Sequence, residues 1–411
     1  MIFCYNGNSC EKELYMINQK YKDRLSNKSV IRELAAYAQK RGKEIGYENV
    51  FDFSLGNPSV ETPKEYNEAV IHMYQTMDSM SLHGYSPTLG NTHARETIAA
   101  SLKKRFGIPY ETKHIFPTTG AAGAIAHAVR AVTKPGDTVL TFAPFFPEYR
   151  PYINDTGATL EVVPPDLPDF QINFRELEKM MTPDVSAVLI NSPNNPSGAV
   201  YSEATLERLA RFLNTCEQKY GHDIFLISDE PYREIVFDGR KCPYPSRYYD
   251  NTLSCYSFSK SLSLPGERIG YIAVNPKATD ADILVDIFGQ ISRGIGHNCP
   301  SSTAQLGISA VIDRTSDLSV YETNMNLLYD ALTDIGFEVQ RPQGTFYIFP
   351  KALEDNAVAF SKKALDYDLI MVPADNFGAP GYVRLAYCID TEKVERSLPV
   401  LKKFAHEVYG K

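Results

Sequence analysis

At 411 residues, with 43% hydrophobic and 22% charged content, the chain is long enough for two or three domains and has the balance of an ordinary globular protein. A formal net charge of −8 with no Lys/Arg cluster argues against a nucleic-acid partner, and no apolar run reaches the length of a membrane span. Cys4, Cys10, Cys216, Cys242, Cys255, Cys299 and Cys388 are scattered and never spaced Cys-x-x-Cys, and no His-Glu-x-x-His occurs, so neither a disulfide scaffold nor a metal site is expected.

Met1-Ile2-Phe3-Cys4-Tyr5 runs into Asn6-Gly7-Asn8 without a signal-peptide core, and a cytoplasmic location is expected. Residues 1–28 are polar and read equally as an arm or a frayed terminus. Short apolar runs then alternate with helical patterns. Strands are predicted over 137–142, 158–163, 185–190, 223–228, 252–258 and 269–274, with helical patterns over 122–132, 173–181 and 202–220. Near-continuous apolar strands separated by helices predict a mostly parallel sheet covered on both faces. Helix dominates from about residue 279 to 336, and the tail is mixed, with strands near 346–349 and 383–388 and a helix from about Thr391. The fold class is therefore α/β: a large domain over 60–295, and a smaller α+β domain built from 29–59 together with 296–411.

Candidate chemistry sits at the strand ends. Thr118-Thr119-Gly120-Ala121-Ala122-Gly123 opens a helix of small residues, where backbone N–H groups and the helix dipole suit a phosphate, though close packing also accounts for it. The absence of Gly-x-Gly-x-x-Gly leaves a dinucleotide site unsupported. Phe146 follows a strand end and suits either stacking on a planar ring or core packing. Asn195, in Asn194-Asn195-Pro196-Ser197-Gly198, follows the strand ending near 190, and the loop is either a plain turn or a ligand contact at the carboxyl edge of an open sheet. Asp229 closes another apolar strand, with Tyr232 three residues on; a helix cap and a partner for a pyridinium nitrogen both suit it.

Ser257-Phe258-Ser259-Lys260 comes next, with Arg268 eight residues past the lysine. A lysine buried after an apolar strand is pushed toward the neutral amine that forms Schiff bases. Ser257 and Arg268 suit a phosphate ester, and the combination points to pyridoxal 5'-phosphate (PLP). Ser-x-x-Lys also serves penicillin-recognising enzymes, but neither Lys-Thr-Gly nor Ser-Asp-Asn accompanies it. Arg384 is flanked by apolar residues in Tyr382-Val383-Arg384-Leu385, where a structural ion pair or a substrate carboxylate would answer its charge.

In this order, Asn-Asn-Pro-Ser-Gly, Ser-Asp-Glu-Pro-Tyr, Ser-Phe-Ser-Lys, Gly-Glu-Arg-Ile-Gly and Tyr-Val-Arg-Leu resemble the class I/II aminotransferases of the aspartate aminotransferase fold type, over residues 29–408. The resemblance implies a seven-stranded type of sheet, PLP as cofactor, and a ping-pong exchange between an L-amino acid and a 2-oxo acid. It implies that Lys260 carries the cofactor and shuttles the proton, that Asp229 pairs with the ring nitrogen, and that Asn195 and Tyr232 bond its phenolic oxygen. The Gly120–Ala122 backbone (with Ala121 between), Ser257 and Arg268 would hold the phosphate, Phe146 the ring face, and Arg384 the substrate carboxylate. Gly56 resembles the glycine of a mobile segment that closes over substrate. Tyr85 resembles the tyrosine that reaches the neighbouring subunit's phosphate, which implies a homodimer with shared sites. Arg293, five residues before Asn298, resembles an arginine presented across the dimer to a distal carboxylate; a salt bridge is the alternative. Aspartate and glutamate with 2-oxoglutarate are the expected substrates, with aromatic donors or a PLP-dependent C–S β-lyase activity as alternatives. No DNA-binding module is expected, because only about 28 residues precede the resemblance and none forms a basic recognition helix.

Overall fold

The computed structural model describes residues 17–25 and 29–411. Twelve strands form among them: β1 (Phe51–Asp52), β2 (Ile115–Thr118), β3 (Thr138–Phe142), β4 (Thr159–Val163), β5 (Val185–Asn191), β6 (Phe225–Asp229), β7 (Thr252–Ser257), β8 (Gly270–Val274), β9 (Tyr347–Ile348), β10 (Leu369–Ile370), β11 (Val372–Pro373) and β12 (Val383–Ala386). Seven of them make one sheet in the order β2-β8-β7-β6-β5-β3-β4. All run parallel except β8, which is antiparallel to both β2 and β7.

The apolar continuity of the central strands has a direct structural consequence. Val139, Leu189 and Ile227 point into one core with Ala124, Val129 and Phe288. Their neighbours Leu140, Val188 and Leu226 point into a second core with Leu206, Leu209 and Leu213. Each strand therefore buries both faces, and helices cover both sides of the sheet. Helix boundaries follow local chemistry: Ser202 accepts from the Thr205 N–H to cap Glu203–Tyr220, and Gly221 ends it in the left-handed conformation. Strand β2 was not among the predicted strands, because Pro117 interrupts a run of only four residues. It lies at the sheet edge, where a missing N–H is tolerated.

Beyond the sheet, β11-β12-β9 form an antiparallel trio, and β1 pairs in parallel with β10. Phe51, Phe346, Leu385, Phe360, Leu401 and Phe404 share one core here, so both ends of the chain build the smaller unit. The helical stretch after 279 divides into Ala281–Ile295, Ser302–Ser309 and Ser319–Ile335. Ala304 and Ile308 pack with Tyr66, Ile98 and Leu102, whereas Leu328 and Leu332 join the smaller unit's core. Val311 and Ile312 join the same sheet-side cluster, so from this packing we infer a division after residue 312, where 296 was expected. No helix among the described residues is long and apolar enough to cross a membrane.

Candidate active site

Asn191, Asp229 and Ser257 end β5, β6 and β7, and the register sets Asn191 opposite Asp229 and Asp229 opposite Cys255. Parallel pairing thus gathers polar side chains at one carboxyl edge, the place where open α/β sheets bind ligands. A cavity of about 280 Å³ opens there, with Asp229, Lys260, Ser257 and Arg268 from the sheet side and Gly56 and Arg384 from the smaller unit. A larger cleft of about 550 Å³ lies beside Ser202, Arg240 and Arg341. It contains none of the predicted site residues, so the chemistry is assigned to the smaller one.

Asp229 is buried, and Tyr149 donates its hydroxyl to Oδ2 at 2.5 Å while Oδ1 has no partner. Burial pushes the carboxyl up to about 7, against the Tyr149 bond, which acts downward. A buried acceptor with an unused lone pair in a ligand-sized cavity fits a protonated ring nitrogen. The Tyr149→Phe variant is expected to lose roughly ten- to a hundredfold in kcat, the range of a hydrogen bond to a charged group. Losing that donor raises the Asp229 pKa further, so the acidic limb of the pH–rate profile should move to higher pH.

Lys260 sits in the one-turn helix Phe258–Ser261 directly after β7. Its Nζ donates to the Gly56 carbonyl at 2.5 Å and lies 5.3 Å from the centre of the Phe346 ring. Burial lowers its pKa to about 8, with Arg384 and Arg268 adding to the effect and Cys388 opposing it. Opposite stands a cradle. Gly120 has φ +81°, and a Cβ added there would lie 3.3 Å from both Arg268 Nη2 and Ser257 Oγ. Only glycine leaves that space open, and the helix Gly120–Val132 begins at the same point. Arg268 Nη2 currently donates to the Thr119 carbonyl at 3.1 Å and Nη1 to Pro265 O at 2.9 Å. Donors converging on a helix start fit a phosphate.

Arg384 is buried and makes no ion pair among the described residues. Nη1 donates to Asn195 Oδ1 at 3.1 Å, Nη2 to Ser54 O at 2.6 Å, and Nε has no partner. Its guanidinium lies 4.6 Å from the Tyr347 ring centre and 5.1 Å from that of Phe377. Among the described residues the structural ion pair open from sequence is not formed, and the charge lines a cavity suited to a carboxylate. Arg384→Lys, which keeps the charge but loses the planar fork, is expected to raise KM for amino acid donors about a hundredfold.

The sequence pattern of the aminotransferase class I and II family matches residues 48–401. The chain belongs to that family. It is 30% identical over 405 residues to aromatic-amino-acid aminotransferase 2 of Thermococcus litoralis, covering 94% of this chain and 98% of that protein. It is also 30% identical to the aspartate aminotransferase of Pyrococcus abyssi, covering 93% and 97%. Among solved structures, an amino transferase from Eubacterium rectale is similar with a TM-score of 0.93 at 43% identity, covering 96% of this chain and 100% of that one. The aspartate aminotransferase of Thermotoga maritima is similar with a TM-score of 0.83 at 27% identity, covering 93% and 98%.

In this aminotransferase Gly56, Ala121, Ala122, Phe146, Asn195, Asp229, Tyr232, Ser257, Lys260, Arg268 and Arg384 all line one cavity, with Gly120 beside Ser257 and Arg268. Tyr85 is fully exposed and Arg293 is exposed in the last turn of Ala281–Ile295; neither lines this cavity. Among the contributors that sequence reasoning missed, three stand out. Tyr347 hydrogen-bonds Tyr232 at 3.1 Å and would meet any Cβ added at Gly56. Tyr149 is the donor to Asp229, and its position three residues past Phe146 was the available signal. Ile31 closes the mouth from a helix distant in sequence, and nothing local marked it.

Proposed function

We propose that this aminotransferase holds PLP in the cavity at the carboxyl edge of the sheet. It moves an amino group between an L-amino acid and a 2-oxo acid, with aspartate and glutamate as preferred donors. Asp229 carries the reading: a buried carboxylate with one oxygen unpartnered faces the same cavity as an amine brought to about 8. Lys260 would hold the cofactor, Ser257, Arg268 and the Gly120 backbone its phosphate, Phe146 its ring face, and Asn195 with Tyr232 its phenolic oxygen. When bound, PLP supplies an electrophilic carbon and a ring that takes up the electrons left when the substrate Cα proton departs.

The chain's own residues do the rest. Arg384 binds the substrate carboxylate and orients the Cα–H bond. The freed Lys260 amine would take that proton and deliver it again two bonds away, on the carbon beyond the amino nitrogen. Asp229, ionised by its cationic partner, keeps the ring nitrogen protonated. Gly56 and Tyr347 form the smaller unit's side of the cavity. Ile71, Tyr74, Met80 and Tyr85 are exposed apolar side chains close together in the chain, which supports a homodimer in which Tyr85 and Arg293 serve the partner's cavity.

The test is the visible spectrum of the purified protein, titrated with single amino acids and no acceptor. Stoichiometric conversion by aspartate or glutamate, reversed by 2-oxoglutarate, supports the proposal. Conversion by aromatic donors alone would move the substrate class. Accumulation of pyruvate and ammonia from a sulfur amino acid would replace transamination by a lyase reaction.

A further inference from the structure

Lys260 sits in a helix of four residues, Phe258–Ser261, and a helix that short makes too few backbone bonds to hold its own place. Its front is turned to the catalytic cavity, where Ser257, Ser259 and Lys260 are lining residues. Its rear is turned to a separate cleft of about 310 Å³, where Phe258 and Ser261 stand with Tyr256, Glu234 and Arg105. We infer that Tyr256, aimed by Glu234 and acting through Ser261, is a positioning residue that fixes where the Lys260 amine sits, an assignment that rests on the role given to Lys260 above.

Three observations carry it. First, the contact is short and buried. Ser261 Oγ and Tyr256 Oη lie 2.7 Å apart, and both residues are buried. Ser261 directly follows Lys260, so this bond acts one residue from the backbone that carries the amine. Second, the direction of the bond is set. Tyr256 donates to Glu234 Oε2 at 2.8 Å, while Oε1 accepts from Arg105 at 2.8 Å and from Arg233 at 3.4 Å. Burial acts upward on the Glu234 carboxyl, but the two guanidiniums outweigh it and hold the group below its ordinary value, ionised. An ionised carboxylate has no proton to give, so Tyr256 spends its one hydrogen on Glu234 and Ser261 donates to Tyr256. Third, the far end is firmly held. Arg233 lies over the Tyr256 ring at 4.3 Å and pairs with the buried Glu230 at 2.9 Å, and Glu230 directly follows Asp229. One chain of buried, charge-assisted contacts therefore braces from behind the segments that carry Lys260 and Asp229.

The front of the turn offers a weaker hold. Ser257 Oγ accepts from the Ser259 N–H at 3.2 Å, but the same oxygen is the one proposed to bind the phosphate, so the rear contact is the one that loading leaves in place. Neither Tyr256, Ser261 nor Glu234 lines the catalytic cavity, and any effect of Tyr256 on the reaction passes through the placement of Lys260. A misplacement of about 1 Å costs on the order of a hundredfold in rate, while the grip of Arg384 on a carboxylate is left as it was.

The decisive experiment compares Tyr256→Phe, Ser261→Ala and the double variant with wild-type holoenzyme, rates being expressed per bound cofactor so that loss of folded protein does not enter. One readout is kcat against KM for the amino acid donor that converts the wild-type cofactor most readily. The other is the rate at which each apoenzyme captures PLP. Each single variant should lose about ten- to a hundredfold in kcat with KM changed by less than about twofold, and should capture PLP about tenfold more slowly. The double variant should be no slower than the worse single variant, because the two hydroxyls act as one unit. Losses that multiply in the double variant overturn the proposal, since the hydroxyls then act separately. Unchanged kcat and unchanged capture overturn it too, because that is what a merely structural role would leave. If Tyr256→Phe does not fold, Ser261→Ala decides by the same two readouts. A Lys260→Ala protein that keeps its visible band and its turnover overturns the role of Lys260 and this proposal with it, a result distinct from those above.

Discussion

Replacing Lys260 by alanine is expected to cost at least about a thousandfold in transamination rate and to abolish the visible band of the covalently held cofactor, while the protein stays folded. Lys260 is the only amine lining the cavity among the described residues, so none of them can take over the proton transfer. Soluble amines small enough to enter should restore part of the rate, a rescue that a collapsed site would not show. The pH dependence has a definite sign. Burial lowers the pKa of this amine to about 8, and the neutral form is the reactive one. The rate at which apoenzyme takes up PLP should therefore climb roughly tenfold per pH unit below that value and level off above it. A profile flat from pH 6.5 to 9.5 would show that a different group captures the cofactor.

Asp229→Asn should reduce kcat about a hundred- to ten-thousandfold, because the amide keeps the shape and can still accept from Tyr149 but cannot hold a positive ring nitrogen. The same substitution should stabilise the apoenzyme. The buried carboxyl titrates at about 7, raised from 3.8 chiefly by burial, so the folded chain keeps a proton that the unfolded chain gives up. That penalty is absent below about pH 4, grows as pH rises, and is complete above about 7. Thermal unfolding of apo Asp229→Asn should accordingly exceed wild type most above pH 7 and converge with it toward pH 4. Lost activity with gained stability separates a functional charge from a structural one; a variant destabilised at every pH would contradict the assignment.

Much of the site was legible because β5, β6 and β7 present their chemistry locally: an apolar run ends, and the polar side chain at its end is the functional one. Asn195, Asp229, Ser257 and Lys260 all follow this rule. So does the boundary from Ser202 to Gly221, where cap chemistry is written in the residues themselves. The contributions of Tyr347 and Ile31 were not legible. Each reaches the cavity only because the chain returns from far away, through β12 pairing with β9 and through the packing of the first long helix on Phe377. Periodicity reports which face of an element is buried, and it does not say against what. The same gap explains helix Ser302–Ser309, whose apolar face fits either unit until Tyr66 and Ile98 are seen beside it.

The pairing of Phe51 with Leu369 imposes an order on synthesis. Strand β1 leaves the ribosome with no partner to pair with, and its partner follows roughly 300 residues later, about half a minute at roughly 10 residues per second. The sheet from β2 to β8 can close in that interval, since all its strands lie between residues 115 and 274. The segment bearing Gly56 must wait, and Arg384 emerges later still. The nascent chain therefore acquires Lys260, the buried Asp229 and the cradle of Gly120, Ser257 and Arg268 before it acquires Arg384.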